Sequence, residues 1–464
     1  MEFRPRAALA ALALVLTCLS SSAWCGAEVG LDIGRPIDPG TGKAGANTDP
    51  AIAADLGTAW VRVNFVRGPW PDIESSFPVY DAIVDGFRAR GISVYMLLGA
   101  EAYEYPGDIL RDEDSSDPDR AEEWVRGFTE TCVGIVDHFK DRVRVYEIYN
   151  EPNNWDGGQN AVVHPRWFAR ILQDVYLEVK SFSGHADQPA WQVTIVSGPL
   201  FSFDGTTAAD YAADMYWYGT NTLAWDWTRA QTGSYPLDGF GYHLYVAQES
   251  TDVAAALDHN LSACWDVVTD YEGAGTAKRI WVSEFGWLSD VLGEDGQAEA
   301  LRAAFAHFKD DDRVAAAFWF TLEDFPLPHG METWGLHHLG DLSKRERKAA
   351  YRAFQEAAGA ATAVSPPPAP VALSPGGWAQ VQGTPVTFAW RLPDGEQADA
   401  FGVSVYRLAV SAAGLRWHRV ARGRTAATSA AIRLPRGTYA WRVLAWRRQG
   451  GRSPWSNVFG FRVR

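Results

Sequence analysis

From Glu28 to Ala358 the chain alternates β-branched and aromatic runs with amphipathic helical stretches, and it does so eight times. The expected strands are Glu28 to Gly34, Trp60 to Phe65, Ile92 to Gly99 and Val143 to Tyr149. They continue with Trp191 to Leu200, Leu237 to Val246, Arg279 to Phe285 and Val314 to Thr321. Each is followed by a helical stretch: Asp49 to Leu56, Val79 to Arg90, Asp119 to Lys140, Pro165 to Phe182, Ala208 to Tyr218, Asp252 to Tyr271, Gln297 to Phe308 and Arg345 to Ala358. Strict alternation of this kind calls for a parallel sheet covered by helices. Eight units within the length of one large domain point to α/β architecture closed as a (β/α)8 TIM barrel over residues 28–360.

The remainder is built differently. Residues 361–377 (ATAVSPPPAPVALSPGG) read as a Pro-rich linker, and 378–464 carries only short alternating runs such as VTFAW, FGVSVYRL and TYAWRVLAWR. A small all-β sandwich domain is expected there. Charge divides at the same place. The net charge is −15, yet from Pro366 onward there are 14 Arg, no Lys and three acids, or +11, which leaves −26 for the rest. Arg alternating outward along strands accounts for the basic tail without a nucleic acid partner.

Residues 1–27 read as an exported protein's signal peptide. Arg4 and Arg6 precede the apolar run Ala7 to Leu19, which is too short to span a membrane, and small residues follow. A secreted, periplasmic or cell-surface location is therefore expected, with no membrane span. Cys132 and Cys264 fall on helices expected to lie well apart around the ring, so two buried free thiols are expected rather than a bridge. His337-His338 with Asp341 lacks a strand-borne ligand set, and no metal or other cofactor is expected.

Two strands deliver a glutamate from their C-terminal ends: VRVYEIYNEP brings Glu151 and RIWVSEFGW brings Glu284. That is the working face of such barrels. Strands four and seven lie across the mouth from one another. Two carboxyl groups so placed are what glycosidic cleavage needs, one to protonate the leaving oxygen and one to attack the sugar or activate water. Other strand ends carry supporting groups: Arg62 and Asn64 on strand two, Asn150 beside Glu151, His243 and Tyr245 on strand six, Trp319 on strand eight. Arg62 and Tyr245 could hold a nucleophilic carboxylate, Asn150 a sugar hydroxyl, and Trp319 could form a flat floor. Among the 21 Trp, those in loops of that face, Trp155, Trp287 and Trp334, are candidates for stacking on sugar rings.

Asn150-Glu151-Pro152, His243-Leu244-Tyr245, Glu284 and Trp319, on strands four, six, seven and eight, resemble the pattern of clan A glycoside hydrolases, with families 39 and 5 nearest. The resemblance implies a retaining enzyme in which Glu151 is the acid/base and Glu284 the nucleophile. It implies β-linked poly- or oligosaccharide substrates, and a monomer is expected. The tail resembles a fibronectin type III module along TYAWRVLAWR and SPWSNVFGFRV. A non-catalytic carbohydrate-binding or adhesion protein on the same barrel is the alternative.

Overall fold

The computed structural model describes residues 26–464 apart from 155–161, 181–184, 186–187, 329, 341, 343–346, 360–368, 394–396, 412–413, 448–450 and 454. The described residues fall into two units, one within 24–360 and one within 361–464. The segment expected to be a signal therefore lies almost wholly outside them. Among the described residues no helix is long and apolar enough to cross a membrane.

In the first unit the parallel strands are β1 (Glu28–Asp32), β2 (Trp60–Asn64), β3 (Ser93–Leu98), β4 (Val145–Ile148), β5 (Thr194–Ser197), β6 (Leu200–Ser202), β7 (Phe240–Leu244), β8 (Ile280–Phe285) and β9 (Val314–Phe320). They run in the order β5-β4-β3-β2-β1-β9-β8-β7-β6. The circuit closes because Val196 also bridges to Gly239, and Ser197 N–H donates to Gly239 C=O at 3.1 Å. β5 and β6 are one barrel strand interrupted at Gly198-Pro199, where proline brings no N–H to the ladder. The strand expected over Trp191 to Leu200 is thus two pieces, and Pro189–Trp191 is a 3-10 turn.

Helices cover the ring: α1 (Pro50–Leu56), α2 (Phe77–Arg88), α3 (Pro118–Phe139), α4 (Pro165–Lys180), α5 (Thr206–Asn221), α6 (Trp225–Thr232), α7 (Val253–Glu272), α8 (Ser289–Asp310) and α9 (Ala349–Ala358). Their starts follow local chemistry. Asp49, Asp117 and Asp252 each accept a hydrogen bond from a first-turn N–H, and Pro leads α1, α3 and α4. α8 begins eight residues before the expected Gln297, as two helical pieces meeting at Gly293. α6 was not expected. It exists because Trp225, wholly buried, seats its ring against Gly219, where a Cβ would stand 2.2 Å from the indole. Cys132 in α3 and Cys264 in α7 are buried and free.

Inward and outward positions alternate along each strand, and this sets the site. On β2, Trp60, Arg62 and Asn64 share the inward face. Trp60, Trp281, Tyr95 and Phe318 plug the lumen. Gly30 faces this plug, since a Cβ there would meet the Phe318 ring at 2.4 Å. Below the mouth the barrel is solid, so polar chemistry is confined to its C-terminal end.

After β9 a short antiparallel pair, β10 (Phe325–Leu327) and β11 (Gly330–Glu332), completes the strands of the first unit among the described residues. Among the described residues the second unit holds two sheets. β12 (Val371–Ser374), β14 (Val386–Arg391) and β17 (Ser429–Ile432) form one. The other runs β13 (Ala379–Val381), β20 (Phe459–Val463), β18 (Gly437–Arg447), β15 (Ala400–Ser411) and β16 (Gly414–Thr425), with β19 (Gly451–Arg452) also on β18. Phe388, Trp390, Phe401, Tyr439, Trp441 and Phe461 fill its core. The Tyr439 hydroxyl donates to Pro435 C=O at 2.6 Å, a tyrosine corner of the kind found in β-sandwiches. Part of the expected linker is structured: 371–374 is β12, paired with β14, with Ala372 buried.

Candidate active site

Arg62 is the hub of the mouth. It is 3% exposed and reaches four side chains from three strand ends, those of β1, β4 and β8. Its Nη1 donates to Asp32 Oδ2 and to Glu284 Oε1, each at 2.6 Å. Its Nε donates to Glu147 Oε2 at 2.9 Å, and its Nη2 to Asn150 Oδ1 at 2.8 Å. Tyr95 donates to the other oxygen of Glu147 at 2.7 Å. Burial opposes the guanidinium's charge, but Glu147, Asp32 and Glu284 outweigh it and hold its pKa well above the ordinary value.

Glu284 ends β8 with both oxygens engaged, Oε1 by Arg62 and Oε2 by the Tyr245 hydroxyl at 3.0 Å. Glu151 follows β4 on strained backbone. Both it (φ 44) and Tyr149 (φ 74) adopt left-handed conformations that non-glycine residues rarely take, a form of strain that collects at functional sites. Asn154 donates to Glu151 Oε2 at 2.7 Å, and His243 Nδ1 lies 2.6 Å from its Oε1. His243 is fully buried between the two glutamates. Its Nε2 stands 3.4 Å from Glu284 Oε1, within ion-pair range but not aligned as a hydrogen bond. A carboxylate oxygen of Glu151 and one of Glu284 lie within 4.8 Å of each other.

The three groups titrate together. Burial pushes Glu284 up to about 7, against the pull of His243 and Arg62, while the charges of Asp32 and Glu151 push the same way as burial. Burial also opposes ionisation of Glu151, but the hydrogen bond and charge of His243 overcome it and the direction is down. His243 is raised, since Glu284 and Glu151 outweigh its burial. In the resting site the shared proton therefore favours His243 over Glu151. One transfer along the 2.6 Å contact from Nδ1 to Oε1 makes Glu151 the acid with no change in total charge. A metal ion at Glu151, His243 and Glu284 would compete with Arg62 and this proton for the same atoms.

Of the residues expected to form the site, Glu151, Glu284, Arg62, Asn150, His243 and Tyr245 converge. Asn64 lies beside them rather than among them. Its amide nitrogen donates to Glu101, which also pairs with Arg35, and its Oδ1 is buried with no partner among the described residues. Trp319 and Trp287 do not fit the stacking role. They are 0% and 1% exposed and stack on one another in the layer between strands and helices, with ring centroids 6.4 Å apart. The reason is strand parity: Phe318 and Phe320 face the barrel, so Trp319 faces the helices. Phe320 takes the mouth position instead, 6.3 Å from the Trp334 ring. Trp334, Phe201 and Phe203 surround Tyr245 at 5.3, 5.8 and 6.1 Å, and Phe203 is 55% exposed. Trp155 lies outside the described residues. Asp32, Glu147, Tyr95 and Asn154 were not foreseen. Strand parity would have found Glu147, four residues before Glu151 and two after the lumen residue Val145.

No protein-family model matches the chain, and no curated protein matches it in sequence. Solved structures do resemble it. A broad-specificity family 5 subfamily 4 endoglucanase from Clostridium longisporum superposes with a TM-score of 0.50 at 11% identity, covering 71% of this chain and 95% of that one. A family 39 glycoside hydrolase from the gut symbiont Bacteroides cellulosilyticus WH2 gives 0.47 at 15% identity, over 86% and 80% of the two chains. An endo-β-1,4-mannanase from Thermotoga petrophila gives 0.47 at 9%, over 95% and 99%. The structural neighbours are thus clan A glycoside hydrolases of families 5 and 39 at low identity, and what this chain shares with the endoglucanase is the (β/α)8 barrel fold.

Proposed function

We propose that the chain is an exported retaining glycoside hydrolase acting on β-linked poly- or oligosaccharides. The observation that carries this reading is the carboxyl pair, Glu151 and Glu284, with oxygens within 4.8 Å at one end of the barrel. That spacing fits double displacement, in which the two carboxyl groups stand about 5 Å apart, and leaves no room for the water of an inverting enzyme. Glu284 attacks the anomeric carbon as Glu151 gives its proton to the departing oxygen. Glu151 then takes a proton from water, and that water displaces Glu284 from the sugar. Arg62 and Tyr245 hold both oxygens of Glu284 as the anion and keep it aimed. His243 passes its Nδ1 proton to Glu151 before cleavage, and the proton that Glu151 takes from water returns to His243 at the end of the cycle. Asn150 commits its carbonyl to Arg62, leaving its NH2 group as a donor for a sugar hydroxyl. Phe203, Trp334 and Phe320 offer apolar ring faces at the mouth.

A non-catalytic binder would have no use for a buried carboxyl held at about 7 between an imidazole and a guanidinium. The test is Glu284→Ala on a panel of aryl β-glycosides and β-glucans or mannans. The variant is expected to lose turnover on every substrate the wild type cleaves. Wild-type-like turnover in the variant would remove the assignment.

A further inference from the structure

The catalytic reading leaves the second unit unused. Its arginines are sorted by strand register. On β15, Phe401, Val403 and Val405 point into the core, so Gly402, Ser404 and Tyr406 point away from it. Arg424, Arg422 and Arg419 on β16 pair directly with those three outward residues. Arg442 on β18 pairs with Ser404 from the other side, and Arg462 on β20 pairs with Thr438. Residues opposite one another share a face. Five guanidiniums on three strands therefore share the outer face of one sheet: Arg419, Arg422, Arg424 and Arg462 are exposed, and Arg442 lies buried beneath them. Arg424 and Arg422 are about 6.8 Å apart along the strand, and Arg442 stands two strands over, about 9.6 Å away.

Aromatic rings hold two of them in place. The Arg424 guanidinium lies 4.4 Å over Trp446, and that of Arg442 lies 4.4 Å from Trp455 and 5.5 Å from Tyr406. At the centre of the row Arg422–Ser404–Arg442, the Ser404 hydroxyl is 1% exposed and has no hydrogen-bond partner among the described residues. The unit cannot neutralise itself. With 14 Arg and three acids from Pro366 on, eleven guanidiniums lack a carboxylate in the unit even if every acid engages one. Stacking fixes the planar forks that match carboxylate and sulfate geometry, which lysines would not do.

We propose that this sheet face binds a polyanionic polysaccharide, a sugar chain bearing repeated carboxylate or sulfate groups, and so anchors the catalytic unit on an acidic glycan matrix. Charge complementarity selects a polyanion. That it is a glycan, and not a nucleic acid, rests on the glycosidase reading above.

The test is affinity electrophoresis of the full chain in gels containing polygalacturonate, dextran sulfate, neutral dextran or single-stranded DNA, with salt varied. Retardation is expected in at least one of the two anionic glycans and not in neutral dextran, and which one identifies carboxylate or sulfate. Retention should fall steeply with salt, and Arg422→Gln with Arg424→Gln should lower the log–log salt slope by about two. Arg391→Gln with Arg433→Gln, an equal charge change at exposed positions away from this sheet, should leave retention unchanged. Thermal melting of both double variants keeps unfolding from mimicking lost binding. The proposal is overturned by no retention in either anionic glycan, by equal loss in the two double variants, or by equal or tighter retention on DNA. None of those outcomes touches the catalytic reading, which the Glu284→Ala assay decides separately.

Discussion

Asp32→Asn isolates the electrostatics of the site with little change in shape. Asp32 Oδ2 and Glu284 Oε1 each lie 2.6 Å from Arg62 Nη1, so the two oxygens are at most about twice that apart. At ~5 Å and an effective dielectric of ~20, one unit charge raises the cost of ionising its neighbour by ~3 kcal/mol, or about two pH units. Arg62 sits between the two and takes part of that effect. Removing the anion makes ionised Glu284 cheaper, so its pKa must fall from about 7. The acid limb of kcat/KM against pH, measured on whichever aryl β-glycoside the wild type cleaves best, is expected to move down by about one unit. A second readout needs no substrate. The folded-state value of Glu284 lies above the ordinary 4.5, so the folded chain holds more protons between 4.5 and about 7 and loses stability as pH rises through that window. Asp32→Asn should flatten that loss in melting temperature. An acid limb that stays put or moves upward would refute the argument.

The remaining expectations concern other parts of the site. Glu151→Ala should slow cleavage of poor leaving groups by about 10²–10⁴-fold, spare activated aryl glycosides more, and recover with azide; no azide recovery counts against the acid/base role. Trp319→Ala should destabilise by about 3–5 kcal/mol in denaturant titrations while KM moves little, and Phe320→Ala should raise KM at modest stability cost. Asp324 and Lys348, both buried and 2.7 Å apart, pin the segment that carries Trp334, since Asp324 also accepts from Gly335 N–H at 2.8 Å. Asp324→Asn leaves a buried cation unpaired and should cost about 3–5 kcal/mol, whereas Asp324→Leu with Lys348→Met should recover most of it.

The barrel was legible because its signal is repeated eight times and survives local errors. Misplacing strand five by three residues, or missing α6, changes nothing about closure. The glutamates were legible for a related reason, as strand ends of a closed barrel all open on one mouth. What could not be read was one-residue parity. Phe318-Trp319-Phe320 is aromatic throughout, so composition does not say which ring enters the barrel, and the sheet register alone decides for Phe320. Nor was the three-carboxylate setting of Arg62 readable, because Asp32, Glu147 and Glu284 come from positions 30 to 222 residues away. Asn64 matched the expected strand end, yet its partner Glu101 lies in a three-residue 3-10 turn, Ala100–Ala102, too short for any periodicity to predict.

The most direct test of the central claim is covalent trapping. The wild type is incubated with the 2-deoxy-2-fluoro analogue of its best aryl β-glycoside, denatured, digested and mapped by mass spectrometry. The predicted result is one added glycosyl group, carried on Glu284. A glycosyl group on any other residue, or turnover of the parent glycoside with inversion at the anomeric carbon, would contradict the account.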